Sequence, residues 1–293
     1  MSLPYISDAV ISNALVTASY KMSVPEKRII ALAISQIGMD QDVTDEDVYR
    51  VSNFQYSKMS GVSRSMAWLE IKEATTRLLD RKVSIERGKD TMVFVFVQQA
   101  IFEENSSISI RFSKPILPFI SQLKKNFTKL DVRELVSFSG FYAMRLYEMI
   151  MQYKNIGKCN ITVLQFRKSL GIDEGKYVNG KDFRRYIIER PLNEINNKTK
   201  YNISYKPIKL GRKINSYEFV IREKEIVDNG DFLGVQVDKN SRKPSFPPLR
   251  WLEAHSELAP PGKTYSEIKS NPNKKIIDAW ERENDWLRWV RVK

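Results

Sequence analysis

The sequence predicts an α+β fold of two tandem winged-helix domains, each a helix-turn-helix followed by a β-hairpin wing, with a C-terminal arm and helix. Two observations lead to this prediction. The order short helix, glycine turn, longer helix and hairpin occurs twice along the 293 residues, and the basic residues are concentrated in the second pass. A chain of this length exceeds one average domain, so two domains and an appendage are expected.

The first pass opens on a capped helix. Ser23 is followed three residues later by Glu26, the spacing of a capping box, in which the two residues satisfy each other's free backbone amides. A short helix is expected at 51–59, and Ser63 can cap a longer helix that runs to about Asp80. The elements that follow are a hairpin with strands at 82–87 and 91–97, a strand at 108–112 and a helix from Pro115.

The second pass repeats this order. Its predicted elements are a helix at 140–153, a strand at 160–162, a helix at 163–170, a loop at 173–180, a longer helix at 182–196, and hairpin strands at 202–207 and 214–222 around Gly211-Arg212-Lys213. Thr162 is a candidate cap for the helix at 163–170. Pro191 predicts a kink or break in the longer helix, because proline lacks the N–H group that an α-helix needs.

These patterns divide the chain into three predicted parts. They are an N-terminal winged helix at 1–120, a C-terminal winged helix at 121–225, and a linker with a helical tail at 226–293. The linker is rich in Asp, Asn, Gly, Ser and Pro, and a helical pattern returns at 274–292. The three tryptophans of that last segment either anchor a partner or dock back onto the body, and the sequence leaves both interpretations open.

The net charge of +13 is unevenly distributed. Residues 1–120 hold 14 basic and 14 acidic side chains, residues 121–225 hold 22 and 11, and residues 226–293 hold 12 and 10. An excess of cations in one third of the chain is the pattern expected of a phosphate-binding surface. A basic surface that only aids solubility is the alternative. An anionic membrane is disfavoured, because the cations lie among strand and helix patterns rather than in one amphipathic run.

Catalytic chemistry has few candidate residues. Cys159 is the only cysteine and His255 the only histidine, so neither a zinc site of ordinary spacing nor a catalytic triad is available. The sequence therefore predicts no catalytic residue, metal or cofactor, and Cys159 is interpreted as a small buried side chain in a strand. Gly262-Lys263-Thr264 resembles part of a phosphate-binding loop, but Pro260-Pro261 supply no amides there. The pair Glu103-Glu104 is interpreted as solvated.

Localisation follows from similar absences. No apolar run approaches the roughly 18 residues of a membrane span, and no basic residue precedes the apolar stretch near the N-terminus. A single cysteine permits no intrachain disulfide, which fits a reducing compartment. These features predict a cytoplasmic protein that does not associate with membranes.

The positions of the predicted helices give candidate DNA contacts. In a helix-turn-helix, the second helix presents its N-terminal residues to base edges in the major groove. The candidates in the second domain are Lys181, Arg184 and Arg185 on that helix, and Lys206, Lys209, Arg212 and Lys213 around the wing turn. Arg64, Ser65 and Lys72 occupy the corresponding helix positions of the first domain, whose neutral charge indicates a weaker grip on phosphates or mainly protein contacts.

Several strings of residues resemble the initiator (Rep) proteins of theta-replicating, iteron-containing bacterial plasmids. The strings are SNALVTASYKMSVPEKRIIALAI at 12–34, YAMRLYE at 142–148, FRRYIIERPLNEIN at 183–196, and the wing segment at 199–220. Together the resemblance covers about residues 11–222 and leaves 227–293 unexplained.

The resemblance implies a function, partners and a location. Such proteins bind direct repeats of double-stranded origin DNA, help to open an adjacent AT-rich segment, and recruit the host replication initiator and helicase. They repress their own gene as dimers, initiate as monomers, and form the dimer through the first domain. The resemblance also implies base reading by Arg184 and Arg185, with Arg64 and Ser65 in the first domain, and a location with the plasmid in the bacterial cytoplasm.

Two other functions compete with this hypothesis. A winged-helix transcription regulator without a role in replication would share the fold and the charge. A DNA nickase or relaxase is disfavoured. The active sites of such enzyme families need histidines beside a nucleophilic tyrosine, and this chain has one histidine.

Overall fold

The described residues divide into a large unit within 1–224 and a small unit within 225–293. The computed structural model describes residues 8–38, 40–104, 106–224, 247, 251–252, 255, 258, 265–271 and 273–282. Most of the predicted linker, the Gly262-Lys263-Thr264 fragment and two of the three C-terminal tryptophans, Trp286 and Trp289, therefore lie outside the described residues.

The first half of the large unit contains the first helix-turn-helix and its hairpin. Its elements are β1 (Ala9–Ser12), α1 (Asn13–Thr17), α2 (Val24–Ile34), β2 (Tyr49–Ser52), α3 (Asn53–Ser60), α4 (Arg64–Leu78), β3 (Lys82–Arg87), β4 (Asp90–Val95), β5 (Val97–Glu103), β6 (Ser107–Phe112) and a 3₁₀ helix (Lys114–Phe119). We call α4 the first recognition helix and the β3–β4 hairpin the first wing. Between α3 and α4, Gly61 adopts a φ of +78°, a left-handed conformation that glycine accepts without strain.

The second half repeats the arrangement. Its elements are β7 (Phe127–Leu130), α5 (Val132–Ser137), α6 (Phe141–Met151), β8 (Lys158–Thr162), α7 (Val163–Ser169), α8 (Gly180–Phe183), a π turn (Arg184–Glu189), α9 (Arg190–Lys198), β9 (Tyr201–Leu210) and β10 (Lys213–Glu223). We call α8, the π turn and α9 together the second recognition helix, and the β9–β10 hairpin the second wing. The predicted double helix-turn-helix and hairpin order is confirmed.

Side-chain caps start the predicted helices. The amide of Ser23 donates to Glu26 Oε2 at 3.0 Å, and the amide of Glu26 donates to Ser23 Oγ at 3.4 Å, which completes the capping box of α2. Ser63 accepts the amide of Met66 at the start of α4. Thr162 and Gln165 form a second capping box at the start of α7. Helix starts were therefore well specified by local sequence.

The sheets contain pairings that the sequence patterns did not reveal. The described strands form the sheets β2-β6-β5, β3-β4, β8-β10-β9 and β1-β7, all antiparallel. Strand β5 was not predicted, because a register shift between Val97 and Gln99 disrupts its alternation. The β1–β7 pair joins the start of the chain to residues 127–130, so these residues pack with the first half across the predicted boundary at Ser121.

A buried polar cluster lies between the two halves of the large unit. On α6, the Arg145 and Glu148 side chains are 0% and 1% exposed, and Glu148 Oε2 lies 2.5 Å from Arg145 Nη1. Glu148 Oε1 lies 2.6 Å from Lys27 Nζ, which is on α2. The Tyr20 hydroxyl accepts hydrogen bonds from Arg145 at 2.6 Å and Lys27 at 2.8 Å. Buried charges are tolerated only when paired in this way.

The cluster predicts a plateau of stability across neutral pH. Burial alone would raise the pKa of Glu148, but attraction to Lys27 and Arg145 outweighs it and lowers that pKa. Burial would lower the pKa of Lys27, but attraction to Glu148 raises it. The Glu148 contribution is therefore present above its unfolded pKa and lost as pH falls through the folded one. The Lys27 contribution is present below its unfolded pKa and lost as pH rises through the folded one.

We therefore expect a nearly constant free energy of unfolding from about pH 5 to about pH 9, with a fall below about pH 4. Urea denaturation followed by circular dichroism at a series of pH values measures this profile. A steep fall between pH 5 and pH 8 would show that this cluster does not set the pH dependence.

The small unit has its own apolar cluster. It contains α10 (Tyr265–Ser270) and α11 (Lys274–Arg282), and its buried side chains are Trp251, Leu252, Ile268, Ile276 and Trp280. The Trp251 and Trp280 rings meet edge to face, with centroids 5.5 Å apart. Trp280 therefore packs against Trp251 within the small unit. Within the described residues, no helix is long and apolar enough to span a bilayer.

Candidate nucleic-acid interface

The loop before the second recognition helix is held by Arg167. Its guanidinium donates hydrogen bonds to the carbonyls of Lys176 (3.0 Å) and Tyr177 (2.7 Å), and it lies 5.5 Å from the ring centroid of Phe183. The loop ends where Asn179 Oδ1 accepts the amide of Lys181 and caps α8. Arg167 is thus turned inward and positions the helix, although it lies in the basic part of the chain.

The second recognition helix is interrupted by a π turn just before Pro191. The amide of Arg190 donates to the carbonyl of Arg185, five residues earlier rather than four. Pro191 lacks an N–H group, and its ring would clash with the carbonyl of Ile187 in a regular α-helix. The interruption that the sequence predicts at Pro191 therefore takes the form of a wider turn, and the helix continues to Lys198.

Arg185 and Arg190 lie beside the same aromatic ring. Their guanidinium carbons lie 5.6 Å and 4.4 Å from the ring centroid of Tyr186, and both side chains belong to exposed residues. Regular α spacing would instead group Arg185 with Glu189. Arg190 was therefore missed by sequence reasoning, and the only signal that could have pointed to it was Pro191 beside it.

The helix separates a buried side from an exposed one. Its buried side chains are Phe183, Ile187, Ile188, Leu192 and Ile195. Lys181 and Arg185 are exposed. Within the described part of the chain, neither has an acidic side chain at ion-pair distance. Both cations are thus available to an anionic ligand.

Arg184 is engaged inside the protein. Its Nε lies 3.2 Å from Glu189 Oε1, and the same oxygen accepts a hydrogen bond from the Tyr205 hydroxyl at 2.8 Å. Tyr205 lies on β9, so these contacts tie the recognition helix to the base of the second wing. The Arg184 side chain is 42% exposed, and its positive charge is paired with the Glu189 carboxylate. Of the two arginines expected to read bases, Arg185 is the less encumbered.

The second wing carries three of its four predicted cations at its tip. Gly211 adopts a φ of +63°, and Lys209, Arg212 and Lys213 around it are exposed and unpaired among the described residues. Lys206 lies farther down the wing, opposite Glu218, and its Nζ is 2.7 Å from Glu218 Oε1. The sequence pattern placed Lys206 at the turn because it carries no information about strand register.

The first recognition helix presents its predicted residues differently. Arg64, Ser65 and Lys72 are exposed on α4. The Arg64 guanidinium lies 5.3 Å from the ring centroid of Phe54, and Ser65 Oγ lies 3.2 Å from Ser63 Oγ. The same helix also exposes apolar side chains, so its surface is less strongly charged than that of the second recognition helix.

The first wing adds two cations that sequence reasoning missed. Arg87 and Lys89 are exposed beside Gly88, which has a φ of +65°, as Arg212 stands beside Gly211 in the second wing. The shared glycine turn was the signal that could have identified them. Glu86 in the first wing forms an ion pair with Lys168 of α7. The negative charge of Glu86 is therefore paired outside the wing and does not neutralise the wing's own cations.

Two residues considered for chemistry have structural roles. Cys159 is buried in β8, and burial raises the pKa of its thiol to about 12, so the thiol is protonated at neutral pH. Of the acidic pair expected to be solvated, Glu104 is exposed and Glu103 is partly buried: Glu103 Oε2 lies 2.8 Å from Arg50 Nη2, and its other oxygen accepts the Ser109 hydroxyl. Within the described residues, no group of acidic, histidine or cysteine side chains could hold a metal ion.

Comparison with known proteins identifies two matching family models. The model for initiator replication protein, WH1, matches residues 9–151, and the model for initiator Rep protein, WH2, matches residues 162–221. Together they span more than two thirds of the chain. Each covers one helix-turn-helix and its wing.

Individual relatives support this match. A "Replication initiation protein" of Escherichia coli is 26% identical over 218 residues, which is 72% of this chain and 68% of that protein. An uncharacterized 27.6 kDa protein of Escherichia coli is 26% identical over 210 residues, which is 66% of this chain and 87% of that protein.

A solved structure confirms the fold. The Pi initiator protein in complex with iteron DNA is similar, with a TM-score of 0.66 at 19% identity, over 76% of this chain and 100% of that chain. The tandem winged-helix prediction is therefore correct. With both of its winged-helix units matched by family models, the chain belongs to the Rep family of replication initiator proteins.

Proposed function

We propose that this protein binds direct repeats of double-stranded DNA at a plasmid origin and initiates replication there. The observation that carries this proposal is the pairing, twice in one chain, of an exposed recognition helix with a glycine-tipped wing. Family membership and the resemblance to the Pi initiator, whose solved structure contains iteron DNA, support the same ligand. Binding energy rather than covalent chemistry would distort the origin.

The second winged helix supplies the main DNA contacts in this proposal. Lys181, Arg185 and Arg190 lie on the exposed side of the recognition helix and would face the major groove. A guanidinium can pair bidentately with guanine O6 and N7, worth about 1–3 kcal/mol of discrimination per pair. Arg212 and Lys213 at the wing tip would contact the sugar-phosphate backbone of the adjacent groove.

The first winged helix would contact DNA beside the second winged helix. It would also contact a second copy of the protein. Arg64, Ser65 and Lys72 are its proposed DNA contacts. Its sheet ends in the edge strand β5, which exposes Ile101 (42%) and Phe102 (44%) and offers unpaired backbone groups. We propose that dimers formed through this unit repress the protein's own gene, and that monomers recruit the host initiator and helicase.

The base-reading assignment gives a direct test. Arg185→Ala should weaken binding to the cognate repeat by about 1–3 kcal/mol and change binding to random duplex little, because the lost contacts are to base edges. Lys213→Ala is the matched control and should weaken binding to both duplexes to a similar degree. Fluorescence anisotropy with both duplexes measures the two losses. An equal loss on both duplexes for Arg185→Ala would refute its role in base reading.

Two experiments separate this function from its alternatives. Deletion of the gene from a small plasmid should abolish plasmid maintenance, whereas persistence of the plasmid would indicate a transcription regulator. Incubation of the protein with supercoiled origin DNA and Mg²⁺ should leave the DNA uncut. A covalent protein–DNA adduct would contradict a mechanism based on binding alone.

A further inference from the structure

A series of polar contacts runs from the first recognition helix through α2 and α6 to α7, the helix before the second recognition helix. On α2, the neighbouring residues Glu26 and Lys27 face different partners. Glu26 is 0% exposed and accepts hydrogen bonds from Arg77 of α4 at 2.8 Å and from Arg81 at 2.8 Å and 3.1 Å. Lys27 contacts Glu148 of α6. The first turn of α2 therefore connects the first recognition helix to α6.

Arg145 extends this connection to the second helix-turn-helix. Its Nη2 donates hydrogen bonds to the carbonyls of Val16 (2.8 Å), Ala18 (3.0 Å) and Ser169 (3.1 Å). Val16 and Ala18 belong to the first half of the unit, and Ser169 is the last residue of α7 in the second helix-turn-helix. One fully buried guanidinium thus bonds to backbone on both sides, and only the planar fork of arginine offers this set of donors.

The cluster carries one excess positive charge, and groups from both halves stabilise it. Lys27 and Arg145 carry two positive charges against the one negative charge of Glu148, and the three backbone carbonyls offset the remaining cation. The carbonyl of Ser169 lies at the negative end of α7, which favours a cation there. Separation of the halves would take the Glu148 carboxylate from Lys27 and the Val16 and Ala18 carbonyls from Arg145, and buried cations that lose such partners are strongly unfavourable.

The two halves also approach each other closely at Gly171. Gly171, just after α7, has a φ of +56°, and a Cβ built there would lie 2.9 Å from Lys21 Cγ and 3.2 Å from the Tyr20 carbonyl. Ser169 Oγ also donates to the Thr17 carbonyl at 2.9 Å. The backbones of the two halves therefore approach as closely as glycine permits.

From these contacts we infer that Arg145 is a positioning residue that fixes the spacing between the two recognition helices. The protein then accepts only DNA in which the two contacted segments have the matching separation along the duplex. Spacing becomes part of its sequence specificity, set by a side chain that does not contact DNA. The statement about DNA rests on the proposed function, whereas the statement about the distance between the helices does not.

The distance between the helices is testable without DNA. Nitroxide labels at Thr76→Cys on α4 and Asn197→Cys on α9 report it by double electron–electron resonance, because both residues are exposed and the Cys159 thiol is buried and protonated. We expect one narrow distance distribution, which Arg145→Lys broadens at least about twofold, since lysine keeps the charge but loses the fork. An unchanged distribution overturns the inference.

Two further variants keep this test decisive. Lys168→Gln breaks the exposed ion pair with Glu86 between the same two halves and should leave the distribution narrow, because exposed pairs contribute little. Should Arg145→Lys fail to fold, Tyr20→Phe removes only the hydroxyl that Lys27 and Arg145 share. An intermediate broadening in Tyr20→Phe supports the inference, and an unchanged distribution contradicts it.

The consequence for DNA is measured separately. Insertion of one base pair in the centre of a bound repeat should weaken binding by the unmodified protein about tenfold or more, comparable to a mismatch at a contacted base. The penalty should fall below about threefold in Arg145→Lys. If Arg145→Lys broadens the distance distribution but loses as much affinity on the insertion as the unmodified protein, only the claim about DNA spacing is contradicted. Absence of binding to any duplex by the unmodified protein would contradict the proposed function while the distance measurement still stands.

Discussion

Raising the salt concentration from 50 to 200 mM should weaken binding to an origin repeat by roughly 10³–10⁵-fold. Each cation that neutralises a phosphate releases condensed counterions from DNA, so affinity falls steeply with salt. The exposed candidate cations of the two units are Arg64, Lys72, Arg87, Lys89, Lys181, Arg185, Arg190, Lys209, Arg212 and Lys213. Some of these read bases and the rest contact phosphates, which is consistent with about 6–10 phosphate contacts.

A salt titration of affinity measures this slope, and single substitutions assign its parts. Lys213→Ala should reduce the slope of log K against log salt by about 1, because it removes one phosphate contact. Lys206→Ala serves as the matched control from the same wing, since Lys206 is already paired with Glu218, and it should reduce the slope less. A loss of affinity below tenfold over the full salt range would show that these cations do not meet the phosphate backbone.

Phe166→Ala should lower the free energy of unfolding by about 3–5 kcal/mol. Phe166 is 0% exposed on α7, and its ring centroid lies 6.2 Å from that of Phe183, 6.3 Å from that of Tyr217 and 6.1 Å from that of Phe219. The Phe166 side chain therefore packs α7 against both the second recognition helix and the second wing. Truncation to alanine leaves a cavity at the point where these three elements meet.

Urea denaturation followed by circular dichroism measures the loss. Leu164→Ala is the matched control on the same helix, because Leu164 is 75% exposed and should change stability by less than about 0.5 kcal/mol. At urea concentrations at which Phe166→Ala is still folded, it should also bind DNA more weakly than the unmodified protein, because the second recognition helix loses a packing partner. Similar losses of stability in the two variants would mean that the aromatic cluster is not the core of this unit.

Local chemistry explains why much of the fold was predictable. The capping boxes at Ser23 and Thr162 and the glycine turns at Gly88 and Gly211 are settled by residues a few positions apart. Such signals fix where helices begin and where hairpins reverse. They indicated the order of the helix-turn-helix and the hairpin in both winged helices, and that order is sufficient to recognise a winged helix.

Contacts between distant segments explain what was not predictable. Strand β1 pairs with β7 more than 100 residues later, and no local pattern specifies that pair. Strand β5 was hidden by a bulge near Val97. The π turn at Arg184–Glu189 depends on how Pro191 is accommodated, and the sequence predicted an interruption there without its form.

The candidate site shows the same division. Sequence reasoning named the cations at the start of the second recognition helix and at its wing, because position in a helix-turn-helix is a local property. It could not distinguish Arg184 from Arg185, since the contact of Arg184 with Glu189 and Tyr205 depends on how the helix packs against the wing. It also missed Arg145, because a buried arginine on an apolar helix looks like any other basic residue in the sequence.

Protection of guanine N7 from methylation on the DNA flanking this gene tests the central claim most directly, since N7 lies in the major groove that a recognition helix enters. We predict protected guanines in two successive major grooves on one side of the duplex, about 10–10.5 base pairs apart, repeated in each direct repeat. Protection of a single groove per repeat, or of grooves on opposite sides, would contradict an account in which two recognition helices held at fixed spacing read the origin together.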